Sequence, residues 1–257
     1  MRISLKFVIL IIDIGNTYVK MVRYDGGIME EHRVALSAED EILSYCQDAF
    51  SGGIYCSVVD LPMRLEKAFA HLSYPMLRYQ SGVTPVPLTS RYQTPLTLGA
   101  DRMAAAVGAW SRWPDRNVLI VDIGTCVTFD FVSGQGEYLG GNISPGPLLR
   151  LKALHQFTGK LPLVEAWGPR PAFGDTTESA IRCGVMDGLR FEIEGYVRHY
   201  RKKFPNLMVC LTGGVNMDLS LDKGVEVVKD SLLVPEGLYR ILKYNEELAA
   251  QKGRERE

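Results

Sequence analysis

The chain has 257 residues, 46% of them hydrophobic and 23% charged, and its formal net charge is −1. This is an ordinary globular composition, long enough for one large or two modest domains, and the balanced charge excludes an obvious nucleic-acid or membrane-surface partner. Five cysteines without a C-x-x-C pair, and no recognisable secretory leader, indicate free thiols in a reducing cytoplasm. The apolar run at residues 7–12 is too short to span a bilayer.

The first part of the chain predicts strands and helices in the order βββαβαβ. Predicted strands cover residues 6–14, 18–24, 29–36, 54–59 and 76–79, and predicted helices cover residues 37–50 and 61–72. Ser37 and Asp40 have the spacing of a capping box at the start of the first helix. Residues 81–98 contain three prolines and predict a long loop, a feature that is commonly functional or flexible.

The rest of the chain repeats the three-strand start. Predicted strands cover residues 118–123, 127–132, 137–143, 207–211 and 225–228, and predicted helices cover residues 101–113, 147–157, 177–203 and 234–247. We expect a short helix after residue 214 and a frayed tail at residues 251–257. The repeated order favours two related α/β lobes, residues 1–98 and 99–257, with a cleft between them.

Two similar loops follow buried strands, Asp13-Ile14-Gly15-Asn16-Thr17 and Asp122-Ile123-Gly124-Thr125. Glycine lets the backbone approach an anion, turn N–H groups and the Thr hydroxyl can donate to phosphate, and the Asp can reach an accompanying cation. One copy alone would be typical of a simple hairpin turn. Two copies favour binding of one nucleotide tail. Lys20 either reaches the same phosphates or is a solvated strand lysine.

Gly99-Ala100-Asp101-Arg102 opens a helix directly after the proline-rich loop. On spacing alone, an Asp at this place is most often a helix N-cap. The same position also suits a carboxylate that takes a proton from an attacking hydroxyl, beside an Arg that binds a substrate carboxylate. Spacing leaves both interpretations open.

Two glycine-containing junctions follow, Gly140-Gly141-Asn142-Ile143-Ser144-Pro145-Gly146 and Thr212-Gly213-Gly214. The first allows either close approach of a ligand or a tight turn before a helix, and the second could pack against a flat base. The chain contains no Walker A sequence, no G-x-G-x-x-G after a strand and no G-x-S-x-G elbow. P-loop kinases, dinucleotide dehydrogenases and α/β-hydrolases are therefore disfavoured.

In this order and spacing, the two Asp-x-Gly loops, Gly99–Arg102 and the Gly140–Gly146 junction together resemble the type III pantothenate kinase family. That family belongs to the acetate and sugar kinase/Hsp70/actin superfamily. The resemblance implies two actin-like (ribonuclease H-like) α/β lobes, each a mixed sheet with flanking helices. It also implies ATP-dependent phosphorylation of pantothenate on its 4′-hydroxyl, the first step of coenzyme A synthesis, by a cytoplasmic homodimer that needs Mg²⁺ and a monovalent cation, K⁺ or NH₄⁺.

Roles for individual residues also come from the resemblance. Asp101 matches the proton acceptor, and Thr125 matches an ATP ligand. Asp122 matches the monovalent-cation ligand, and Asp13 the Mg²⁺ end of ATP, directly or through water. The first ATP loop would comprise Asp13, Ile14, Gly15, Asn16, Thr17, Tyr18, Val19 and Lys20. The pantothenate pocket would comprise Tyr92, Gly99, Ala100, Asp101, Arg102 and, across a dimer interface, Thr177.

The pair Thr176-Thr177 stands where the family often has Asn-Thr, so which of the two threonines contacts the substrate stays open. A helical stripe beyond Thr177 could pack inside the protomer or in a shared interface, and the resemblance favours the interface. The stripe comprises Ile181, Val185, Leu189, Ile193 and Val197.

Two alternatives remain, a non-catalytic relative that regulates transcription and another small-molecule kinase of the superfamily. A pure binding protein has no chemical need for both loops and Asp101. The Gly99–Arg102 element does not support a sugar or acetate kinase.

Overall fold

The computed structural model describes residues 8–254, and the predicted start of the first strand at residue 6 lies outside that range. The strands are β1 (Ile9–Ile14), β2 (Tyr18–Tyr24), β3 (Ile28–Ala35), β4 (Gly52–Ser57), β5 (Met76–Arg78), β6 (Thr89–Ser90), β7 (Val118–Ile123), β8 (Cys126–Val132), β9 (Glu137–Pro145), β10 (Met208–Gly213) and β11 (Glu226–Lys229). The α-helices are α1 (Glu39–Cys46), α2 (Met63–Ala70), α3 (Ala100–Arg112), α4 (Pro147–Gln156), α5 (Thr177–Arg201) and α6 (Leu233–Arg254).

The contacts divide the described chain into two compact units. The first comprises residues 8–114, 136–138 and 232–254, and the second comprises residues 115–135 and 139–231. Helices α3 and α6 thus belong to the unit that carries β1. The lobe boundary between residues 98 and 99 stays a prediction about the repeat, which need not coincide with these contact-based units.

The sheet of the first unit has the order β3-β2-β1-β4-β5. The chain forms an antiparallel meander through β1, β2 and β3, and β4 and β5 then run parallel to β1. Strand β1 is almost continuously apolar because both its faces are covered. Its residues Leu10, Ile12 and Ile14 join a core with α1 and α2, and α6 also contacts β1.

The second unit repeats this arrangement, with the strand order β9-β8-β7-β10-β11. Strands β7 and β8 form an antiparallel hairpin, while β10 and β11 run parallel to β7. The predicted fold class, two related α/β sheets with flanking helices, is confirmed. The short strand β6 pairs with Glu137 and Tyr138 at the start of β9, and these four residues belong to the first unit.

The apolar stripe of α5 packs inside the second unit. Ile181, Val185, Leu189 and Ile193 are buried in one core with β7, β8 and α4. The expectation that this stripe contributes to a dimer interface is therefore wrong, because its area is already used within the protomer.

Several predicted local features differ in the structure. Helix α1 starts after Ala38 with no side-chain cap, so Ser37 does not form the predicted capping box. Residues 214–225 contain no helix, and residues 251–254 continue α6 instead of fraying. Loop 81–98 contains β6 and a 3₁₀ turn at Pro95–Thr97.

Helices α3 and α6 cross at very short range. A Cβ atom built on Gly237 would lie 1.8 Å from the carbonyl oxygen of Ala104, and one on Gly108 would lie 2.2 Å from that of Leu233. Only glycine permits this backbone contact. Arg112 adds two hydrogen bonds of 2.8 Å to the carboxylate of Glu236. This packing fixes α3, whose first turn carries Asp101. None of the helices described is long and apolar enough to cross a membrane.

Candidate functional site

Asp13 lies near the carboxyl end of β1, where three strands meet. It is opposite Lys20 on antiparallel β2 and opposite Cys56 on parallel β4. The Cys56 thiol donates a hydrogen bond to Asp13 Oδ1 across 3.6 Å. Asp13 is half-buried, whereas Asn16 and Thr17 in the following turn are exposed. The loop therefore offers solvent-facing donors next to a shielded carboxylate.

The turn after β1 is closed by a hydrogen bond of 3.0 Å from the Gly15 N–H to the Tyr18 carbonyl. The side chains of Ile14 and Val19 are fully buried in the core. Of the predicted ATP loop, these two residues can offer only backbone groups to a ligand.

Burial raises the pKa of Asp13, whereas the charge of Lys20 and the hydrogen bond from Cys56 lower it. Burial also raises the pKa of the Cys56 thiol well above its ordinary value, and the charges of Asp13 and Asp101 raise it further. Cys56 is therefore a neutral thiol close to two carboxylates. Burial raises the pKa of Tyr79 to about 12, with smaller contributions from Cys56 and Asp101, so this phenol also stays neutral.

Asp101 occupies the first turn of α3 but is not its N-cap. The cap position is Gly99, and Asp101 Oδ1 accepts a hydrogen bond of 2.8 Å from the N–H of Arg102. The half-buried carboxylate lies at the positive end of the helix, where backbone N–H groups stabilise negative charge. Arg102 is buried, with 6% of its surface exposed. Tyr92 packs its ring against Tyr138, with 6.2 Å between centroids.

The second loop has the same strand relationships in the second unit. Asp122 on β7 is opposite Thr128 on antiparallel β8 and opposite Thr212 on parallel β10. The turn is one residue shorter than the first, since the Gly124 N–H donates to the Cys126 carbonyl across 2.9 Å. Thr125 is exposed at its tip, and Asp122 is half-buried.

Both predicted glycine junctions pack against this loop. Gly213 has a φ of +95°, and a Cβ atom built on it would lie 2.5 Å from Asp122 Oδ1. A Cβ atom on Gly146 would lie 2.2 Å from the Gly124 carbonyl and 2.5 Å from that of Thr125. The Gly146 N–H donates to the Thr125 carbonyl across 3.0 Å. Neither position has room for a side chain.

Thr176 and Thr177 differ clearly at the start of α5. Thr176 is the N-cap, and its hydroxyl accepts a hydrogen bond from the Ser179 N–H and donates one to the Ser179 hydroxyl. Thr177 is the first residue of the helix and is exposed. Of the two, Thr177 has the hydroxyl that is open to a ligand.

The structure thus groups Asp13, Lys20 and Asp101 in the first unit, and Asp122 and Thr125 in the second. In the sequence, Cys56 is only one of five free thiols, and no motif marks Tyr79. The sequence does place Cys56 near the end of a buried strand. The carboxyl ends of parallel strands meet at one edge of a sheet, so this place could have marked Cys56 as a candidate site residue.

The acidic residues fit Mg²⁺ that arrives with a nucleotide. Within residues 8–254, no group of three or more His, Cys, Asp or Glu side chains could hold a metal ion. Magnesium in such sites keeps several waters and takes one or two carboxylates besides the phosphates. The single carboxylate of Asp13 would be enough to hold such an ion together with the phosphates.

Sequence comparisons with known proteins all indicate one family. The sequence model of the type III pantothenate kinase family matches residues 9–199. A type III pantothenate kinase of Phocaeicola vulgatus is 43% identical over 93% of this chain and 99% of its own length. One from Bacteroides fragilis is 44% identical over 92% and 98%.

Two solved structures are similar in fold. A Campylobacter jejuni protein assigned to the Baf family of transcriptional activators has a TM-score of 0.59 at 23% identity, covering 93% of this chain and 99% of its own. A ROK family glucokinase of Streptomyces griseus, solved with glucose and AMPPNP, has a TM-score of 0.52 at 10% identity, covering 91% and 97%. At these identities the likeness concerns the fold alone.

Proposed function

This chain belongs to the type III pantothenate kinase family, and we propose that Asp13, Asp101 and Asp122 carry its reaction, the ATP-dependent phosphorylation of pantothenate in coenzyme A synthesis. The observation that carries this assignment is the grouping of Asp13 and Asp101 around the neutral thiol of Cys56. Two carboxylates with different surroundings, Asp13 on a strand and Asp101 at a helix start, suit two different roles.

Asp101 is the general base. Its carboxylate takes the proton of the substrate hydroxyl as that oxygen bonds to the terminal phosphorus of ATP, while the bond from that phosphorus to the bridging oxygen breaks and ADP leaves. Its place at the start of α3 supports this role, because the positive end of the helix dipole attracts negative charge and the Arg102 N–H holds one oxygen. The nearby thiol of Cys56 and phenol of Tyr79 have raised pKa values, so neither competes as a base at neutral pH.

The first loop binds the phosphate end of ATP. Asn16 and Thr17 are exposed beside Asp13, so their backbone and side-chain donors are free to face an anion. Bound Mg²⁺ would be held through Asp13 and would neutralise charge on the phosphates. Lys20 is opposite Asp13, and its charge lowers the pKa of that carboxyl, which opposes the larger effect of burial.

The second loop binds ATP through Thr125 and a monovalent cation, K⁺ or NH₄⁺, through Asp122. The exposure of Thr125 and the half-burial of Asp122 support these two different roles.

Pantothenate binds at Tyr92 and Gly99–Arg102, with Thr177 supplied by the partner subunit of a homodimer. The capping box supports Thr177 over Thr176, since it occupies the hydroxyl of Thr176.

The dimer would use the exposed face of α5, because the opposite face is in the core. Gly184, Gly188 and Gly195 share this exposed face with Phe191, whose side chain is 56% exposed. A Cβ atom on any of the three glycines would meet nothing within 4 Å. Each glycine costs a solvated helix about 1 kcal/mol relative to alanine, a cost that close packing of a partner would offset.

A coupled assay for ADP release, with and without pantothenate, tests the function. We expect ADP release that depends on pantothenate and on Mg²⁺, together with a product carrying one phosphate on the 4′-oxygen. ATP binding without any pantothenate-dependent turnover would instead support the non-catalytic alternative. Turnover with a sugar or acetate but not with pantothenate would support the other kinase.

A further inference from the structure

Arg150 connects two helices to the junction beside the second loop. Its Nε donates to the Pro145 carbonyl across 2.7 Å, and a terminal nitrogen donates to the Ser144 hydroxyl across 2.9 Å. The same terminal nitrogen forms a short ion pair with Glu192 on α5. The side chains of Arg150 and Glu192 are 22% and 25% exposed, so this pair is partly shielded from water.

The segment that Arg150 holds lies directly on the turn of the second loop. Gly146 follows Pro145, and its N–H donates to the Thr125 carbonyl. Its Cα is so close to the carbonyls of Gly124 and Thr125 that no side chain fits between them. A displacement of residues 144–146 must therefore move the turn, because the two backbones are in contact without any compressible side chain.

We propose that Arg150 is a positioning residue that sets the position of Thr125 for ATP through Ser144, Pro145 and Gly146. The inference rests on the proposed function of Thr125 as an ATP ligand. The planar guanidinium suits this task, since one rigid group serves the hydroxyl, the carbonyl and Glu192 at once. Lysine keeps the charge but cannot reproduce this fixed geometry.

The test compares Arg150→Lys with Arg116→Lys as a matched control. Arg116 forms an ion pair of 2.7 Å with Glu226 in the same unit, and among the described residues it has no hydrogen bond or ion pair with residues 144–146. For Arg150→Lys we expect the Kd and KM for ATP to rise by on the order of 10-fold to 100-fold, as small misplacements of binding groups typically cause. The KM for pantothenate should stay near wild type. The control should leave both KM values unchanged.

Glu192→Gln provides a second, milder variant in case Arg150→Lys is unstable. It keeps the size of the side chain but removes the charge that holds Arg150, so the Kd for ATP should rise in the same direction by a smaller factor. Calorimetric ATP binding needs no pantothenate turnover, so it tests the positioning role even if the proposed reaction fails. A lowered melting temperature with an unchanged Kd for ATP, or equal rises in both KM values, would overturn the proposal.

Discussion

The thiol of Cys56 donates a hydrogen bond to the carboxylate of Asp13, although 43 positions separate the two residues in the chain. They lie side by side because β4 pairs with β1 in parallel and in a register that matches Asp13 with Cys56. The raised pKa of the thiol keeps it protonated, so it remains a donor at neutral pH. It thereby stabilises the ionised Asp13 without adding a charge.

Cys56→Ala should move the acidic limb of the kcat/KM profile to higher pH. Loss of the donor removes one of the two influences that lower the pKa of Asp13, so burial raises that pKa further. Cys56→Ser keeps a donor and should leave the limb near its original place. Cys46→Ala is the matched control, since Cys46 is also buried in the first unit but burial alone raises its pKa. If the acidic limb is unshifted in Cys56→Ala, the thiol does not lower the pKa of Asp13 in the active enzyme.

Asp13→Asn should stabilise the protein at neutral pH while turnover is lost. Burial raises the pKa of Asp13, so the folded state binds its proton more tightly than the unfolded state, and stability falls as pH rises through the folded pKa. Asparagine does not ionise, so the variant keeps the free energy of unfolding that the wild type loses. The melting temperature without ATP should rise by about 2–4 °C for each kcal/mol recovered. The difference in melting temperature between the variant and the wild type should shrink as pH falls. A melting temperature below that of the wild type at pH 7 would contradict the prediction.

Asp101→Asn should reduce kcat by roughly 10²- to 10⁴-fold, the usual contribution of positioned proton transfer. Binding of ATP, measured by calorimetry, should stay unchanged because the amide has the same shape. Asp60→Asn, at an exposed position of the same unit, serves as the control. Near-normal turnover in Asp101→Asn would remove this residue from the mechanism.

Activity should depend on the monovalent cation through Asp122. At equal ionic strength, the rate in potassium or ammonium should exceed that in sodium or Tris by on the order of tenfold, equivalent to about 1.4 kcal/mol. The reason is that a carboxylate close to phosphate is repelled unless a cation lies between them. Asp122→Asn should lose the discrimination between salts. Equal wild-type rates in all four salts would refute the site.

Gly188→Arg should give a folded monomer. A Cβ atom on Gly188 meets nothing within 4 Å in the protomer, yet a long side chain there would enter an interface formed by the exposed face of α5. A stable interface buries on the order of 1,600 Å², so the wild type should sediment as a dimer at low micromolar concentration. The variant should show a raised KM for pantothenate, because Thr177 is no longer supplied. Gly159→Arg, also in open space, is the control. A fully active wild-type monomer would exclude the shared pocket.

The strands were the most predictable part of the fold. The predicted boundaries of β7 and β2 agree with the structure, because each is a short run rich in apolar or β-branched residues beside a glycine turn. The start of α1 was predicted wrongly, since the spacing of Ser37 and Asp40 does not reveal which residue leaves the helical conformation. The spacing of apolar residues in α5 also could not show that its stripe packs against the sheet of the same protomer.

The candidate site was predictable where chemistry is local. Both Asp-x-Gly loops and the helix start at Asp101 are contiguous in the chain, so their residue types alone suggest phosphate and proton chemistry. The contact of Cys56 with Asp13 depends on the register of a parallel strand pair, and the contact of Gly213 with Asp122 depends on another. Such registers arise from packing over a crossover connection, which no short motif encodes.

Helix α6 follows every residue of the second unit along the chain, yet it packs against α3, β1 and β4 of the first unit. A ribosome releases a chain from its N-terminus at about 5–20 residues per second. The first sheet is therefore made early, but the helix that covers one side of it emerges only after the whole second unit. During synthesis, the unit that carries Asp13 and Asp101 begins first and is completed last.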